Sequence, residues 1–181
     1  MTATPEVREA MLAAIPSLRA FAISLTYNVD AADDLVQDAI VRAWTNIEKF
    51  EAGTNMVGWL FTILRNAFYG QYRKARREVE DPSGFYADRL VTIPEQGSRC
   101  DFEDLRTALA KLSVEHREAL ILIAAEGLSY EDAAQVCGVA IGTVKSRVHR
   151  ARERLGQLLA IDGVEDLGPD RMTRAVLQSA F

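Results

Sequence analysis

A run of cations and hydroxyls in residues 142–155, GTVKSRVHRARERL, has the side chains needed to bind a nucleic acid. Three apolar residues, Val144, Val148 and Leu155, recur within it at helical spacing, so they predict one buried stripe. The remaining faces carry the polar and cationic side chains. Lysine and arginine bind phosphates, and arginine can also reach base edges in the major groove. We therefore expect this helix to bury one face and to present the others to DNA.

The residues before this run complete the pattern of a helix-turn-helix over 129–154. Ser129, with Asp132 three residues later, resembles the capping box that begins a helix. Gly138 can adopt the positive φ that a tight turn between two helices needs. This motif places its second helix in the major groove, so the pattern predicts contact with duplex DNA.

An ordinary solvated helix with a basic face is the alternative interpretation of the same residues. The hydroxyls of Thr143 and Ser146 lie near the expected start of the second helix, where the amide dipoles attract a phosphate. Only Glu153 interrupts the cations that follow. Both details favour DNA over solvent.

A second cationic segment, WLFTILRNAFYGQYRKARR at residues 59–77, interleaves aromatic rings with its charges. On a helix, Arg65, Tyr69 and Tyr72 project at spacings of three to four onto neighbouring faces. An exposed ring can stack one unpaired base for about 1 to 3 kcal/mol, so this helix suits single-stranded or melting DNA. The alternative is a core helix, and some of the rings must be buried.

The net charge of -5 conceals two oppositely charged segments. Residues 65–77 carry cations and no acid, whereas residues 30–38 carry aspartates and no base. Cys100 and Cys137 have no zinc-binding spacing, which indicates a reduced cytoplasmic protein. Charged residues precede the first apolar ones and no apolar run approaches the roughly 20 residues of a membrane span, so we expect neither a signal peptide nor a membrane span.

No arrangement for catalysis is evident in the sequence. His116 and His149 are remote from any recognisable nucleophile, and there is no phosphate-binding glycine loop or metal-ligand cluster. We therefore expect no enzyme activity, no metal and no cofactor.

The apolar periodicity predicts an all-α protein made of two small helical domains. Helical spacing runs from residue 7 to about 77, and in it Leu12 belongs to the apolar pattern while Leu35, Ala39 and Trp44 are expected to point inward. Prolines and glycines then interrupt the pattern before it returns. The predicted organisation is a first domain at 7–77, a flexible linker at 78–102, a second domain with the helix-turn-helix at 103–160, and a tail at 161–181.

Three segments together resemble regions 2 and 4 of the extracytoplasmic-function (ECF) sigma factors, in the same order and spacing. They are DDLVQDAIVRAW at 33–44, WLFTILRN at 59–66 and GTVKSRVHRARERL at 142–155. RKARREVEDPSG at 73–84, and FEDLRTALAKL before REALIL, further resemble the subgroup that drives the general stress response. The resemblance covers about residues 7–160 and implies a factor that directs RNA polymerase to specific promoters, the chemistry belonging to the polymerase.

The resemblance also implies partners and binding residues. The partners would be core RNA polymerase, promoter DNA and a small anti-sigma protein that binds both domains, and the free protein would be a monomer that binds no membrane. The residues implied for core polymerase are Asp34, Gln37, Asp38 and Arg42. Those implied for the non-template strand of the -10 element are Arg65, Asn66, Tyr69, Tyr72, Arg73 and Arg76. Those implied for the major groove of a GGAAC-like -35 element are Thr143, Lys145, Ser146, Arg147 and Arg150.

Two finer expectations concern these DNA-binding residues. We expect Arg147 to read bases and Arg150 or Arg152 to hold phosphate. Gly70 departs from the broader family, where an acidic residue is frequent, and glycine within a helix costs about 1 kcal/mol relative to alanine.

Three rival hypotheses remain open. A sigma mimic would sequester an anti-sigma protein without initiating transcription, but it would not need the cations of 65–77 or those after Thr143. A dimeric helix-turn-helix regulator with a ligand-sensing first domain would bind a two-fold operator with half-sites about 34 to 36 Å apart. An enzyme is the weakest of the three.

Overall fold

The computed structural model describes residues 4–51, 53–78 and 100–159, with the side chains of 75–78 and 100–103 left outside the description. Within these ranges the chain is helical and has no strand, so the predicted all-α class is confirmed. The helices form two compact units, α1 to α3 and α4 to α7, whose bounds are given below. The predicted flexible linker and the tail lie outside the described residues, except where the linker meets α3 and α4.

In the part of the first unit that the structure describes, there are three long helices and one short 3-10 helix. Asn28 begins the second helix because its side-chain oxygen accepts a hydrogen bond from the backbone N–H of Ala31 at 2.9 Å. Thr4 caps the first helix in the same way, through the N–H of Val7. The helices are α1 at Pro5–Thr26, α2 at Val29–Thr45, the 3-10 helix at Ile47–Lys49 and α3 at Met56–Glu78.

The core of the first unit lies where α1, α2 and α3 meet. Phe21 of α1 and Phe61 of α3 are fully buried, with ring centroids 4.9 Å apart in an edge-to-face arrangement. Two apolar residues depart from the sequence prediction: Leu12 is 55% exposed and Trp44 is 49% exposed. Trp44 is out of phase with the buried alanines Ala39 and Ala43 of α2, so it projects outward.

Helix α1 is long and apolar enough to cross a membrane by length and composition, which the sequence analysis did not anticipate. Its buried residues, among them Met11, Leu18 and Phe21, face α2 and α3 instead. The apolar character of α1 is thus explained by its place in the core. No other helix in the described ranges passes the same test.

Among the described residues of the second unit, the fourth helix contacts each of the three before it. The stripe predicted from spacing is confirmed, because Val144, Val148 and Leu155 are buried, and Ala151 completes it. The helices are α4 at Cys100–Ala110, α5 at Val114–Ala124, α6 at Tyr130–Cys137 and α7 at Ile141–Leu159.

A buried arginine joins the end of α4 to the start of α5. Arg117 is only 4% exposed, and its Nη1 donates hydrogen bonds to the carbonyl oxygens of Leu109 and Leu112, each at 3.3 Å. These carbonyls belong to the end of α4 and the turn after it, where backbone acceptors lack helical partners. Arg117 therefore acts as a side-chain cap in the interior of the unit.

Candidate nucleic-acid interface

The turn between α6 and α7 has the local geometry that the sequence predicts. Ser129 Oγ accepts a hydrogen bond from the N–H of Asp132 at 3.0 Å and thereby starts α6. Gly138 ends α6 with φ 64° and ψ 36°, and the N–H of Val139 reaches back to the carbonyl of Ala134 at 3.1 Å. This left-handed cap turns the chain sharply and sets α7 across α6.

Helix α7 presents polar residues on two flanks of its buried stripe. Thr143, Arg147 and Arg150 follow one another at helical spacing along one flank, and Lys145, His149 and Arg152 follow the other. Arg150 is exposed and makes no hydrogen bond or ion pair with any residue that the structure describes. Its guanidinium is therefore available to an external anion such as a phosphate.

Two arginines of α7 hold a donor in the interior of the unit. Arg147 and Arg152 are half-buried, and Arg147 Nη1 and Arg152 Nε have no hydrogen-bond partner among the described residues. These enclosed donors cannot reach an external partner, so any contact with DNA falls to the other nitrogens of each guanidinium, which would need an acceptor from outside. Guanine O6 and N7 or a phosphate oxygen would supply one.

Lys145 is positioned by a residue that the sequence analysis missed. Its Nζ lies 5.7 Å from the centroid of the Tyr130 ring at the start of α6, a cation–π contact. The sequence contains both residues, but their contact depends on the crossing of α6 and α7. Tyr130 thus holds a predicted DNA-binding cation at the helix-turn-helix junction.

Of the two hydroxyls that the sequence predicts at the start of α7, only that of Thr143 lies in the first turn. The helix begins at Ile141, so Thr143 lies in its first turn whereas Ser146 lies one turn further along. The Ser146 hydroxyl donates to the carbonyl oxygen of Thr143 at 2.9 Å. The Ser146 hydroxyl can still accept a hydrogen bond. It could donate one to DNA only if its hydrogen bond to the Thr143 carbonyl were broken.

The aromatic rings of α3 contact one another instead of standing apart as separately exposed rings. Phe68 is buried and lies beneath its neighbours, 5.3 Å from Tyr69 and 6.3 Å from Tyr72 between ring centroids. Tyr69 and Tyr72 are half-buried. Arg65 Cζ lies 4.6 Å from the centroid of the Tyr69 ring, so the cation and the ring are held together.

The polar residues of α3 complete a surface beside these rings. Asn66 and Arg73 are exposed and make no hydrogen bond or ion pair with the part of the chain that the structure describes. Gly70 lies between them on the same face. Arg76 belongs to α3, but its side chain lies outside the described set. The structure thus brings together Arg65, Asn66, Tyr69, Tyr72 and Arg73 on one helix.

The four residues predicted on α2 for core polymerase share the side that faces away from the core. Asp34, Gln37 and Arg42 are exposed, and Asp38 is half-buried. Asp38 and Arg42 pair with each other at 2.8 Å between Oδ1 and Nε, and this pairing raises the pKa of Arg42. Part of the charge on this face is therefore satisfied within the helix.

Two exposed apolar side chains on the same helix were missed by the sequence analysis. Val41 is 57% exposed and Trp44 is 49% exposed, and with Gln37 they follow one ridge of α2 at helical spacing. Large exposed apolar side chains grouped together mark protein contact surfaces. The sequence did indicate this exposure, because the position of Trp44 around α2 does not coincide with that of the buried residues Ala39 and Ala43.

Comparison with known proteins connects both units to one family. Residues 11–78 match the family model for sigma-70 region 2, and residues 102–155 match the model for sigma-70 region 4. The chain is 57% identical over 177 residues to the ECF RNA polymerase sigma factor EcfG of Rhodopseudomonas palustris, covering 98% of each chain. The chain belongs to the ECF sigma factors. The resemblance inferred from sequence, including its EcfG-like subgroup, is confirmed.

Other relatives of this ECF sigma factor agree with that assignment. It is 37% identical over 149 residues to SigC of Mycobacterium tuberculosis, with 81% of this chain and 75% of that protein covered. Among solved structures, it is similar to the sigma factor RpoE of Bartonella quintana in complex with the anti-sigma factor NepR. That match has a TM-score of 0.75 and 50% identity over 88% of this chain and 100% of the other. CnrH in complex with the cytosolic domain of CnrY matches with a TM-score of 0.55 and 27% identity over 83% of each chain.

Proposed function

We propose that this ECF sigma factor directs core RNA polymerase to promoters of general stress genes and is held inactive by a small anti-sigma protein. One observation carries the proposal: the two units present helices of different character, α7 with an exposed, unpaired arginine and α3 with aromatic rings and a cation held together. A simple helix-turn-helix regulator needs only the first. An initiator needs both, because it binds duplex DNA upstream and separated strands where transcription starts.

The roles of the two units follow the domain limits predicted from sequence, 7–77 and 103–160, which stay proposals. In the second unit, Arg147 reads a base of the -35 element and Arg150 holds a phosphate, since an arginine facing guanine discriminates by about 1 to 3 kcal/mol. Thr143, Lys145 and Ser146 complete that surface. In the first unit, Arg65, Asn66, Tyr69, Tyr72, Arg73 and Arg76 capture the separated -10 strand.

Core polymerase binds the outward side of α2. The proposed contact comprises the polar residues Asp34, Gln37, Asp38 and Arg42, and the exposed ridge of Val41 and Trp44 supplies the apolar part. Interfaces of this kind concentrate their binding energy in a few aromatic anchors, and charges at the rim contribute mainly orientation. Trp44 is the one such ring on this side of α2 in the described chain.

An anti-sigma partner is supported by the relatives. The Bartonella quintana relative is bound to the anti-sigma factor NepR. A protein that covers the exposed ridge of α2 would block core polymerase, which gives the inhibition a physical basis. We further propose that the free factor is a cytoplasmic monomer without metal, cofactor or catalytic activity, the polymerase performing all bond formation.

The sigma mimic remains the second candidate because it would bind the same anti-sigma protein. A mimic has no use for the unpaired Arg73 and Arg150 on the two DNA-binding helices. The dimeric regulator is distinguished by its oligomeric state, which sedimentation of the free protein would measure.

Run-off transcription with purified bacterial core polymerase tests the proposal. One template carries stress-type -35 and -10 elements, and control templates scramble each element separately. We expect a transcript that requires this protein and both elements, and that disappears when the cognate anti-sigma protein is added. Binding to the anti-sigma protein without binding to core polymerase would favour the mimic instead.

A further inference from the structure

Helix α7 carries a single acidic side chain, Glu153, among its lysine and arginine residues. A carboxylate on a surface that meets DNA is unfavourable, because it repels the phosphates that the neighbouring cations attract. In the part of the chain that the structure describes, the ion-pair partner of Glu153 is His149, one turn earlier on α7. His149 Nε2 lies 3.6 Å from Glu153 Oε1. The net charge at this point of α7 therefore depends on the protonation of one histidine.

His149 lies between two cations on one flank of α7. Lys145 precedes it by one turn, and Arg152 follows it three residues later. The side chain of His149 is 72% exposed, and its Nδ1 makes no hydrogen bond with any residue that the structure describes. A protonated imidazole has two N–H donors at different positions on its ring. Nε2 can therefore face Glu153 while Nδ1 donates to an external anion.

The helices packed against α7 bring no further acid to His149. Helices α4, α5 and α6 all contact α7, and from α6 the ring of Tyr130 reaches the same flank at Lys145. The acids of these helices whose side chains the structure describes all lie beyond ion-pair distance of His149: Asp104, Glu115, Glu118, Glu131 and Asp132. The charged groups beside His149 are therefore the acid and the cations of α7 itself.

A duplex placed along this flank would change the balance between the two forms of the imidazole. A phosphate near Nδ1 favours the protonated form, because only that form is charged. The protonated form also neutralises Glu153 and so offsets the repulsion between this carboxylate and the duplex. Histidine changes its charge between about pH 5 and pH 8. Duplex binding would then take up a proton, so its affinity would rise as the pH falls through that range.

We propose that His149 is a proton-linked contact for duplex phosphate, and that Glu153 weakens this contact when the imidazole is neutral. Acidification then strengthens promoter binding at α7 directly, without any change in the anti-sigma protein. This inference rests on the proposed function of α7 as the -35 surface, and it adds a regulation of that surface by pH.

The pH dependence of duplex binding by the full-length protein tests the proposal. The probe is a labelled -35 duplex from a promoter on which the wild type is active, and fluorescence anisotropy gives its affinity at constant salt. We expect the affinity of the wild type to rise by about 2- to 5-fold from about pH 8 to about pH 6, the effect of one exposed charge pair. His149→Gln should remove this rise, because glutamine stays neutral. Glu153→Gln should raise the affinity more at the higher pH, where the carboxylate is not yet neutralised.

His116→Gln supplies the matched control, because His116 is the other of the two histidines in the chain. It is half-buried at the start of α5, where its backbone N–H donates to Ser113 Oγ at 3.4 Å. Its substitution should leave the pH dependence of binding intact. Equal pH dependence in wild type and His149→Gln, or its loss in His116→Gln, would overturn the assignment. If the wild type binds the duplex equally at every pH, this inference alone fails; if it binds no -35 duplex at any pH, the proposed function of α7 fails as well.

Discussion

The two helices of this sigma factor that we propose bind DNA, α3 and α7, hold the same kind of cation in different ways. On α7, Arg150 is exposed and unpaired among the described residues. On α3, Arg65 is already engaged with the ring of Tyr69. A duplex offers its acceptors at fixed positions in the groove, so available donors suffice. Separated bases have no fixed position, so an aromatic ring that is already held in place for stacking is more useful there.

The largest expected effect comes from a residue outside both helices. Trp44→Glu should lower the affinity for core polymerase by about 2 kcal/mol or more, roughly 30-fold, because it removes an aromatic anchor and adds an acid to an acidic side of α2. Binding of the isolated protein to -35 duplex should not change. Co-sedimentation with core polymerase measures the first quantity and fluorescence anisotropy the second. Parallel loss of both would mean that Trp44 supports the fold, which a melting curve would reveal.

Tyr69→Ala tests the platform on α3. Loss of the ring removes one stack and releases Arg65, so we expect single-strand affinity of the holoenzyme to fall by about 1 to 3 kcal/mol. Affinity for -35 duplex should stay within the error of measurement. Tyr69→Phe is the matched control, since it keeps both the ring and the contact with Arg65. If the phenylalanine variant is as weak as the alanine variant, the phenol hydroxyl matters more than stacking.

Arg147→Ala is the converse test on α7. Preference for a matched over a scrambled -35 element should fall by about 1 to 3 kcal/mol, whereas binding to core polymerase and to single strands should persist. Arg150→Ala provides the comparison, because a phosphate contact weakens matched and scrambled duplexes alike and reduces the salt dependence of binding. Equal preference in wild type and Arg147→Ala would assign base recognition to another residue.

Tyr130→Leu should produce a smaller effect by releasing Lys145. An exposed cation–π contact is worth about 0.5 to 1 kcal/mol, so duplex affinity should fall by no more than roughly 5-fold. Tyr130→Phe should restore it. Titration of binding against salt, with Lys145→Ala as reference, checks the mechanism: removal of Lys145 should abolish the difference between tyrosine and leucine at position 130.

The smallest effect is expected at a charge pair that belongs to neither DNA surface. Arg19 Nε donates to Asp33 Oδ1 at 2.6 Å between α1 and α2, and this hydrogen bond lowers the pKa of Asp33 from 3.8. Because the pKa is lowered in the folded state, the pair stabilises the protein above pH 3.8 and loses this contribution as the pH falls below it. Both side chains are exposed, so the effect is small.

Asp33→Asn should therefore reduce the urea midpoint slightly at pH 7, and the difference from wild type should shrink as the pH falls below 3.8. DNA binding through α3 and α7 should not respond at pH 7. A difference that grows on acidification would contradict the sign derived from this pair.

The parts of the molecule that sequence could predict depend on local chemistry. The buried stripe of α7 follows from helical periodicity, and the cap at Ser129 and the turn at Gly138 follow from the conformations those residues favour. The family followed from three motifs in fixed order. Each of these features involves residues close together in the chain.

The parts that could not be predicted depend on how helices meet. Trp44 was assigned to the core because it is large and apolar, yet the phase of α2 turns it outward. The contact of Lys145 with Tyr130 requires the angle between two helices, which spacing within either one does not contain. The burial of Arg117 likewise depends on the position of α4 relative to α5.

The placement of Arg117 has a mechanical consequence. The covalent connection from the first unit enters the second at α4, whose last carbonyl groups are held by this buried guanidinium. These hydrogen bonds hold the end of α4 that lies farthest from the connecting chain, so the last turn of α4 stays attached to α5 even if its first turn unwinds. Arg117 thus anchors α4 to the interior of the second unit independently of what happens where the connecting chain enters.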